Sequence, residues 1–405
     1  MYAPRLRVGD QIRKYRKARG NRSQRALAAV CGVTERYMSL IETNQKTPSP
    51  KLLSRIAAAL GVPVALLLCE DGVPEPGVGE DGGLPEVARA LRGGPASGGG
   101  PRAEPAELSA RVGDAWEIWQ TSRRRFTIVE RVLPVLVRDV EQAVRECRGG
   151  SDPSRAREIS RAASDLYGLL RSYFRRVGRM DLALLVADRA LRSAQDADDP
   201  VRIATAQWNL GHVLLSDTRR DAPEEAKDVA LAAIKDIGGE RRTPELLALR
   251  GALELVAVVA EAQQQKWWKA RRRLEKTAGP LSVRSGEGNV GRTVFGPTNV
   301  ELHTMSIEML AGETGEALRL ADQVDISRLP SRERRFTFGL EVARCYDMRR
   351  EDVSVYVHLL DLEELAPEDL ARSAQARALV ADLLRRVRPT YQRQVAALAG
   401  RLGVV

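Results

Sequence analysis

The segment at residues 22–46 constrains the fold more than any other part of this 405-residue chain. Its apolar spacing predicts two short helices joined by a tight turn. Ser23 is suited to cap the first helix, because its hydroxyl can accept a backbone N–H that the helix leaves unpaired. Gly32 suits the turn because it adopts a positive φ at no steric cost. Thr34 is then placed to cap the second helix, which completes a helix-turn-helix pattern.

The second helix of this segment has two contrasting faces. Met38 and Ile41 are predicted to point into the core, together with Val33 just before the helix. Glu35 and Arg36 are predicted to face outward near the start of the helix. A recognition helix presents its N-terminal residues to the base edges of DNA in this way. The segment therefore predicts DNA binding.

The positive charge of the chain is concentrated around this segment. The net charge is +10, and residues 1–70 contain 13 Lys and Arg against 4 Asp and Glu. The remaining 335 residues contain 51 Lys and Arg against 50 Asp and Glu. A basic module on a nearly neutral body indicates a head that binds phosphates.

The cysteines and the apolar runs exclude several other classes of protein. Cys31, Cys69, Cys147 and Cys345 lie far apart, which argues against a disulfide framework and against a zinc site. No apolar signal region follows Met1, and no apolar run is long enough to cross a bilayer. We expect a cytoplasmic protein with no metal, no other cofactor and no membrane contact.

The chain is predicted to have three regions, at 4–69, 70–105 and 106–405. The first is the helix-turn-helix domain. The second is a linker, because 10 of its 36 positions are Gly and 6 are Pro, which leaves too little apolar surface for stable order. A short helix is still possible within it at residues 84–91. The third region is rich in Ala, Leu, Arg and Glu, which predicts an all-α body.

The helices of the body are predicted to form pairs. Short turns lead into second helices that each contain one small packing residue, namely Ala183, Ala226, Ala270, Ala317 and Val353. The tetratricopeptide repeat has a small residue at this place and a length of about 34 residues. The spacing here is longer and less regular. We interpret the body as an irregular solenoid of helix pairs, and the alternative is a plain helical bundle.

Residues 5–68 resemble the Cro/phage-repressor, or xenobiotic-response-element (XRE), helix-turn-helix family. The matching positions are Ser23-Gln24, Leu27-Ala28, Gly32-Val33-Thr34, Ser39, Ile41-Glu42 and the run at 56–62. The entire chain also resembles actinobacterial regulators that join this head to a tetratricopeptide-like body, through the runs at 208–215, 249–253 and 295–300. The resemblance implies an all-α fold with a λ-repressor-like head and a tetratricopeptide-like α-solenoid.

The family resemblance also implies which residues contact double-stranded DNA. Those implied to line the major groove are Thr34, Glu35, Arg36 and Ser39. Thr43, Asn44 and Lys46 are implied to contact the DNA backbone. Gln24 is implied to bond a phosphate or to position its neighbour, and Tyr37 to pack on the DNA side or to reach a phosphate. Glu35 can accept a hydrogen bond from cytosine N4, and Arg36 can donate to guanine O6 and N7. Alternatively, these two side chains neutralise each other.

Polar residues on the body are candidates for holding a ligand, and they are Asn209, Arg250, Arg292, Asn299 and His303. Side chains of Asn299 and His303 share a helical face, because the two residues are four positions apart. Amides on the concave face of a solenoid can bond a peptide backbone, and the two arginines can hold a carboxylate or a phosphate. The alternative is that the two asparagines are structural caps or ties between helices.

Two further patterns receive a structural interpretation. The run at 286–291 matches G-x-G-x-x-G, but no parallel-strand pattern surrounds it, so we predict a loop between repeats and not a dinucleotide site. The arginine runs at 123–125 and 271–273 are predicted to be solvated faces.

The function predicted from the sequence is that of a transcriptional regulator. It would bind an inverted-repeat operator as a homodimer, and its body would sense a peptide or small molecule or bind a protein partner. We find no nucleophile–base pair, phosphate loop or paired carboxylates, and we expect no enzymatic activity. The alternative is an interaction scaffold whose helix-turn-helix does not read DNA.

Overall fold

The computed structural model describes residues 8–18, 23–60, 67, 84–92, 104–148, 152–238 and 243–404. These residues form helices, turns and loops, and no strand occurs among them. The chain divides into two compact units, Met1–Asp81 and Gly82–Val405. The predicted all-α fold, with an N-terminal helix-turn-helix and a helical repeat-like body, is confirmed.

The first unit contains four helices within the described residues. They are α1 (Val8–Ala18), α2 (Gln24–Val30), α3 (Glu35–Glu42) and α4 (Pro50–Leu60). Ile12, Leu27, Met38, Ile41 and Ile56 form the centre of its core, each with no exposed surface. The core therefore joins all four helices.

Local sequence explains the helix-turn-helix geometry. The Ser23 hydroxyl accepts from Ala26 N at 3.1 Å, and the Thr34 hydroxyl accepts from Tyr37 N at 3.2 Å, so each caps its helix as predicted. Gly32 has a φ of 63° in the turn between them. Helix α4 ends at Leu60, and residues 61–66 lie outside the described residues.

The second unit contains seventeen further helices within the described residues. They are α5 (Leu84–Leu91), α6 (Pro105–Thr121), α7 (Arg125–Cys147), α8 (Pro153–Arg176), α9 (Met180–Asp196), α10 (Pro200–Leu214), α11 (Ala222–Gly238), α12 (Pro244–Gln263), α13 (Trp267–Arg273), α14 (Gly279–Ser285), α15 (Pro297–Ala311), α16 (Thr314–Ala321), α17 (Arg332–Met348), α18 (Asp352–Leu365), α19 (Pro367–Arg372), α20 (Ala374–Arg386) and α21 (Pro389–Arg401). A π-helical turn joins α13 to α14, and a short 3₁₀ turn, Val290–Arg292, precedes α15.

Five helix pairs follow one another in the body: α8/α9, α10/α11, α12/α13, α15/α16 and α17/α18. Four of the five predicted small residues, Ala183, Ala226, Ala270 and Ala317, have no exposed surface on the second helices of these pairs. The prediction for Val353 is wrong, because its side chain is 45% exposed. Val355, two positions later, is fully buried on the same helix, so the packing position was misplaced by two residues.

Part of the predicted linker packs on the body. Helix α5 lies within the segment 70–105, and Val87, Ala88, Ala90 and Leu91 are buried in the same core as α7 and α8. Most of the Gly/Pro-rich remainder of that segment lies outside the described residues. The G-x-G-x-x-G run follows α14 and has no strand beside it among the described residues, as the loop prediction expects.

The prediction of solvated arginine runs is wrong for Arg125. Its side chain is fully buried, it donates through Nε to Asp369 Oδ2 at 3.0 Å, and its guanidinium stacks over the Trp119 ring at 4.0 Å. Burial is possible because a carboxylate from α19 neutralises the charge. The contact fastens the start of α7 to the C-terminal part of the unit.

Candidate functional site

The start of helix α3 presents the residues that were predicted to read DNA bases. Thr34, Glu35 and Arg36 are exposed, and Ser39 is half-buried one turn further along. Their outward placement follows from the burial of Met38 and Ile41 on the opposite face. The base-reading roles of Thr34, Glu35, Arg36 and Ser39 remain predictions.

Residues after α3 prolong this exposed surface. Thr43 and Lys46 are exposed, and the Lys46 ammonium lies 5.7 Å from the centre of the half-buried Tyr37 ring. Asn44 instead accepts from Gly9 N at 2.8 Å and adopts a φ of 57°. A Cβ atom at Gly9 would lie 1.9 Å from Ile41 O, so the close approach of α1 to α3 requires glycine. Asn44 therefore has a structural contact in addition to its predicted contact with DNA.

Gln24 takes part in a buried cluster that fixes α3 against the rest of the head. Gln24 Nε2 donates to Glu42 Oε2 at 2.7 Å, and Arg16 Nε donates to Glu42 Oε1 at 2.6 Å. Burial opposes ionisation of Glu42, but the hydrogen bonds from Arg16 and Gln24 outweigh it and lower the pKa of this carboxyl. The contact of Gln24 with a DNA phosphate remains a prediction, and its amide already holds the Glu42 carboxylate within the head.

The second unit contains a cavity of about 160 Å³. It is bordered by the first helices of the five pairs, by α6 and by the loop before α15. Its lining residues are Trp116, Gln120, Arg171, Ser172, Arg175, Arg176, Trp208, His212, Ala252, Leu255, Arg292, Thr293, Val294, Asn299, His303, Ser331, Glu333, Arg334 and Thr337. Five of these side chains are arginines, and Glu333 is the one acid among them.

Glu333 lies between arginines from two helices. Its carboxylate accepts from Arg125 Nη1 at 3.0 Å, from Arg175 Nη2 at 3.2 Å and from Arg176 Nε at 2.8 Å. Burial acts against the charged form, but Arg176, Arg125 and Arg175 hold the pKa of Glu333 well below its ordinary value. Glu333 is therefore an ionised anion held within the protein.

Several other N–H donors that border the cavity have no hydrogen-bond acceptor among the described residues. Arg171 donates to the Asn209 amide oxygen, and Arg334 Nε donates to Asn299 Oδ1 at 2.7 Å. Arg171 Nε, Arg175 Nε and Arg334 Nη2 are buried and have no hydrogen-bond partner among the described residues. Burial, followed by repulsion from Arg175, lowers the pKa of Arg171 to about 9.

Two neutral histidines complete this environment. Burial and the neighbouring Arg171 hold the pKa of His212 well below its ordinary value, and burial and Arg334 do the same for His303. The His212 ring packs edge-on against Trp208 with 4.4 Å between ring centres. His303 Nδ1 is buried without a hydrogen-bond partner among the described residues.

The structure brings three of the five predicted ligand residues to this cavity. Arg292, Asn299 and His303 line it, whereas Asn209 lies behind Arg171 and Arg250 is not among the lining residues. Arg292 is exposed and lies 5.9 Å from the centre of the Trp116 ring. The ligand roles of all five remain predictions.

Four of the five arginines that line the cavity are not among the ligand residues predicted from the sequence. Arg171 and Arg175 are four positions apart on α8, and Arg176 follows directly, so all three occur on one part of the helix. Their spacing was a usable signal, but the balanced charge of the body concealed it. Arg334 follows Glu333 in a run of alternating charges at 332–335 that resembles an ordinary solvated helix start.

Comparison with known proteins supports the domain assignment of the head. Residues 12–67 match the family model described as helix-turn-helix, so the predicted XRE-type domain is present at the N-terminal end. No curated protein matches the chain. None of the helices among the described residues has the length and apolar composition needed to cross a membrane.

Three solved structures are similar to this chain at low identity. The structure of Bacillus thuringiensis PlcR in complex with the peptide PapR7 and DNA is 12% identical, covers 88% of this chain and 99% of its own, and gives a TM-score of 0.31. Apo ComR from S. thermophilus is 11% identical, covers 94% and 99%, and gives 0.33. The apo competence regulator ComR from Streptococcus vestibularis is 10% identical, covers 99% of both chains, and gives 0.30.

Proposed function

We propose that this protein is a sequence-specific DNA-binding transcriptional regulator whose helical body senses a small ligand. The observation that carries the DNA-binding part is the helix-turn-helix match over residues 12–67, with the start of α3 exposed. The charge of residues 1–70 supports it, because excess Lys and Arg attract the DNA backbone. Phosphate contacts then position the head, and base contacts select the sequence.

The proposed sensor is the helix-pair body, as a tetratricopeptide-like solenoid. Its cavity supports a binding role, because concave sites with a few converging polar groups are the usual places for small ligands. A ligand alters DNA affinity only when it binds one conformation of the protein better than another. In this proposal the protein catalyses no reaction, and its location is the cytoplasm.

The proposed assembly on DNA is a homodimer on an inverted repeat. One recognition helix contacts only a few base pairs, so two half-sites separated by about one helical turn give useful specificity.

Selection from a random duplex library tests the DNA-binding proposal. The full chain is expected to enrich duplexes with two related half-sites, and the enriched duplex is then compared with a scrambled one by fluorescence anisotropy. Arg36→Ala should weaken binding to the enriched duplex by about 10-fold and leave the scrambled duplex nearly unchanged. Lys46→Ala should weaken both duplexes equally and reduce the salt dependence.

Arg385→Ala is the matched control, because it removes an exposed arginine from α20 in the other unit. It should change neither affinity. Equal losses for Arg36→Ala on both duplexes would contradict base reading by that residue. Failure of the full chain to retain any DNA at low salt would favour a protein-interaction scaffold instead.

A further inference from the structure

The cavity of the second unit has a surplus of positive charge. Arg171, Arg175, Arg176, Arg292 and Arg334 line it, against the single carboxylate of Glu333. Arg125 adds a further guanidinium behind Glu333, but Asp369 neutralises it. The lining alone therefore holds four more cationic side chains than anionic ones.

Three acids outside the lining compensate part of this surplus, namely Glu341 near Arg334, Asp369 near Arg176 and Asp165 near Arg292. Ser306 Oγ donates a hydrogen bond to Glu341 Oε2 at 2.5 Å. Burial raises the pKa of Glu341, while Arg334 and the hydrogen bond from Ser306 act in the opposite direction. An unpaired buried charge is costly, so the lining arginines stabilise any anion that enters.

The donors of this lining are also incompletely used. Arg171 Nε and Arg175 Nε, both on α8, and Arg334 Nη2, on α17, are buried without hydrogen-bond partners among the described residues. Arg171 is only 3% exposed. Buried donors in folded proteins nearly always have a partner, so these three N–H groups are suited to an acceptor that enters the cavity.

Glu333 shows which chemical group the lining accepts. Its carboxylate is held by guanidinium groups of α7 and α8, and Arg334 lies next to it in the chain. The planar fork of arginine matches the oxygens of carboxylates and phosphates, often through two parallel hydrogen bonds. A ligand that carries a carboxylate or a phosphate can accept hydrogen bonds in the same way from Arg171 Nε, Arg175 Nε and Arg334 Nη2, the donors that Glu333 does not use.

The volume of the cavity limits the ligand to a small molecule. The value of about 160 Å³ is close to that of an engineered cavity of about 150 Å³ that holds one benzene molecule. A folded domain or a nucleic acid cannot enter such a space. We propose that the cavity binds a small organic dianion, of the dicarboxylate or phosphate-monoester class, between the arginines of α8 and α17.

The loop before α15 contributes an exposed arginine to the lining of this site. Arg292 is exposed at the cavity and has a φ of 60°, next to Gly291 at 56°, while Val294 has a φ of 55°. A branched residue such as Val rarely adopts a positive φ, and such strain is concentrated at functional sites. Arg292 is thereby held at the cavity, where it can contact the outer charge of the ligand.

Calorimetric titration of the full chain tests this inference, which rests on the ligand-sensing part of the proposed function. The probes are succinate, glycerol 3-phosphate and, as a monoanion, acetate, at constant ionic strength in chloride buffer. At least one dianion should bind with one site per chain and at least 10-fold more tightly than acetate. The better of the two dianions distinguishes a carboxylate ligand from a phosphate ligand.

Three variants locate the site. Arg334→Gln should weaken dianion binding at least 10-fold, and Arg292→Gln should weaken it about 3-fold to 5-fold. Arg192→Gln is the control, because it removes the same charge from the exposed face of α9, and it should leave the affinity unchanged. Arg292→Gln keeps the test decisive where Arg334→Gln fails to fold, since residue 292 is exposed.

Two results would overturn the inference: binding of both dianions no tighter than acetate, or equal affinities in Arg292→Gln and Arg192→Gln. DNA binding measured without dianion separates this inference from the proposed function. Intact dianion binding with no DNA binding contradicts DNA regulation and supports the site. Specific DNA binding with no dianion binding overturns the site alone.

Discussion

Two buried carboxylates, Glu42 in the head and Glu333 in the body, are both held by arginines but in different surroundings. Glu42 is 1% exposed and pairs with Arg16 and Gln24 in a compact cluster. Glu333 is 16% exposed at its side chain and borders a cavity in which arginines outnumber acids. In the first cluster the acid accepts from a guanidinium and an amide and borders no cavity lined by further arginines among the described residues, while the second has surplus positive charge and unpaired donors.

This difference separates a structural ion pair from a binding site. A buried pair whose charges balance serves the fold, and removal of one partner leaves an uncompensated charge. Surplus positive charge beside a cavity is also unfavourable, but the cavity has room for an anionic ligand that reduces this free-energy cost. A bound anion therefore supplies the negative charge that the arginine cluster of the body lacks, whereas no ligand can take the place of the Glu42 carboxylate in the head.

The largest expected effect comes from Glu42→Ala in the head. Arg16 then remains buried without its carboxylate, and the head should lose about 3–5 kcal/mol of stability. Hydrogen exchange of the α1 and α3 amides in the full chain measures this loss. Glu35→Ala, on the exposed face of α3, is the control and should change stability by less than about 0.5 kcal/mol. A similar loss in both variants would show that Glu42 has no special role.

Glu333→Gln should have the next largest effect on stability, and this loss, unlike that of Glu42→Ala, should be reversed by a ligand. We expect a loss of about 2–3 kcal/mol in denaturant unfolding, less than in the head because the cavity admits water. The dianion that binds the wild-type chain should restore much of this stability, because it replaces the lost negative charge. The same dianion should not rescue Glu42→Ala. Rescue of both variants, or of neither, would remove the distinction between the two clusters.

Acid should weaken the contribution of Glu333. Its pKa in the folded protein is held well below 4.5, so the stabilisation is present above the ordinary pKa and is lost as the pH falls toward the folded value. The stability difference between wild type and Glu333→Gln should therefore shrink by about 1–2 kcal/mol between pH 5 and pH 3. Urea unfolding of both proteins at each pH measures it. A difference that does not vary with pH would contradict the ionised state of Glu333.

The smallest expected effect concerns Gln24→Ala. Its amide supports Glu42, so we expect a loss of about 1 kcal/mol in head stability and less than a twofold change in DNA affinity at a temperature where the head is fully folded. Anisotropy with the enriched duplex measures the affinity. A loss of 10-fold or more in a folded variant would assign Gln24 to a DNA phosphate, as the family resemblance implies.

The sequence predicted the local structure of the head because its signals are short-range. Ser23, Gly32 and Thr34 act on neighbouring backbone groups, and each has the predicted geometry. The apolar positions of α3 face the core for the same reason, since a helical period fixes them. The cluster of Gln24, Glu42 and Arg16 was not foreseen, because its members come from three different helices.

The cavity could be predicted only in part from the sequence. The spacing of Asn299 and His303 on one helix predicts that part of the lining, and both residues border the cavity. Arg125 shows why the rest was missed. Its fate depends on Asp369, 244 positions away in the chain, and no local pattern distinguishes a solvated arginine from one that a distant carboxylate neutralises. In addition, the nearly balanced total charge of the body gives no sign of the local surplus of arginines at the cavity.

The most direct test of the whole account is the affinity of the full chain for its enriched duplex with and without the dianion that binds the cavity. We predict that saturating dianion changes the DNA dissociation constant at least fivefold, and that DNA changes the dianion affinity by the same factor, as linkage requires. The change should vanish in Arg334→Gln. An unchanged DNA dissociation constant, measured while calorimetry shows the dianion bound, would contradict the claim that the cavity controls the head.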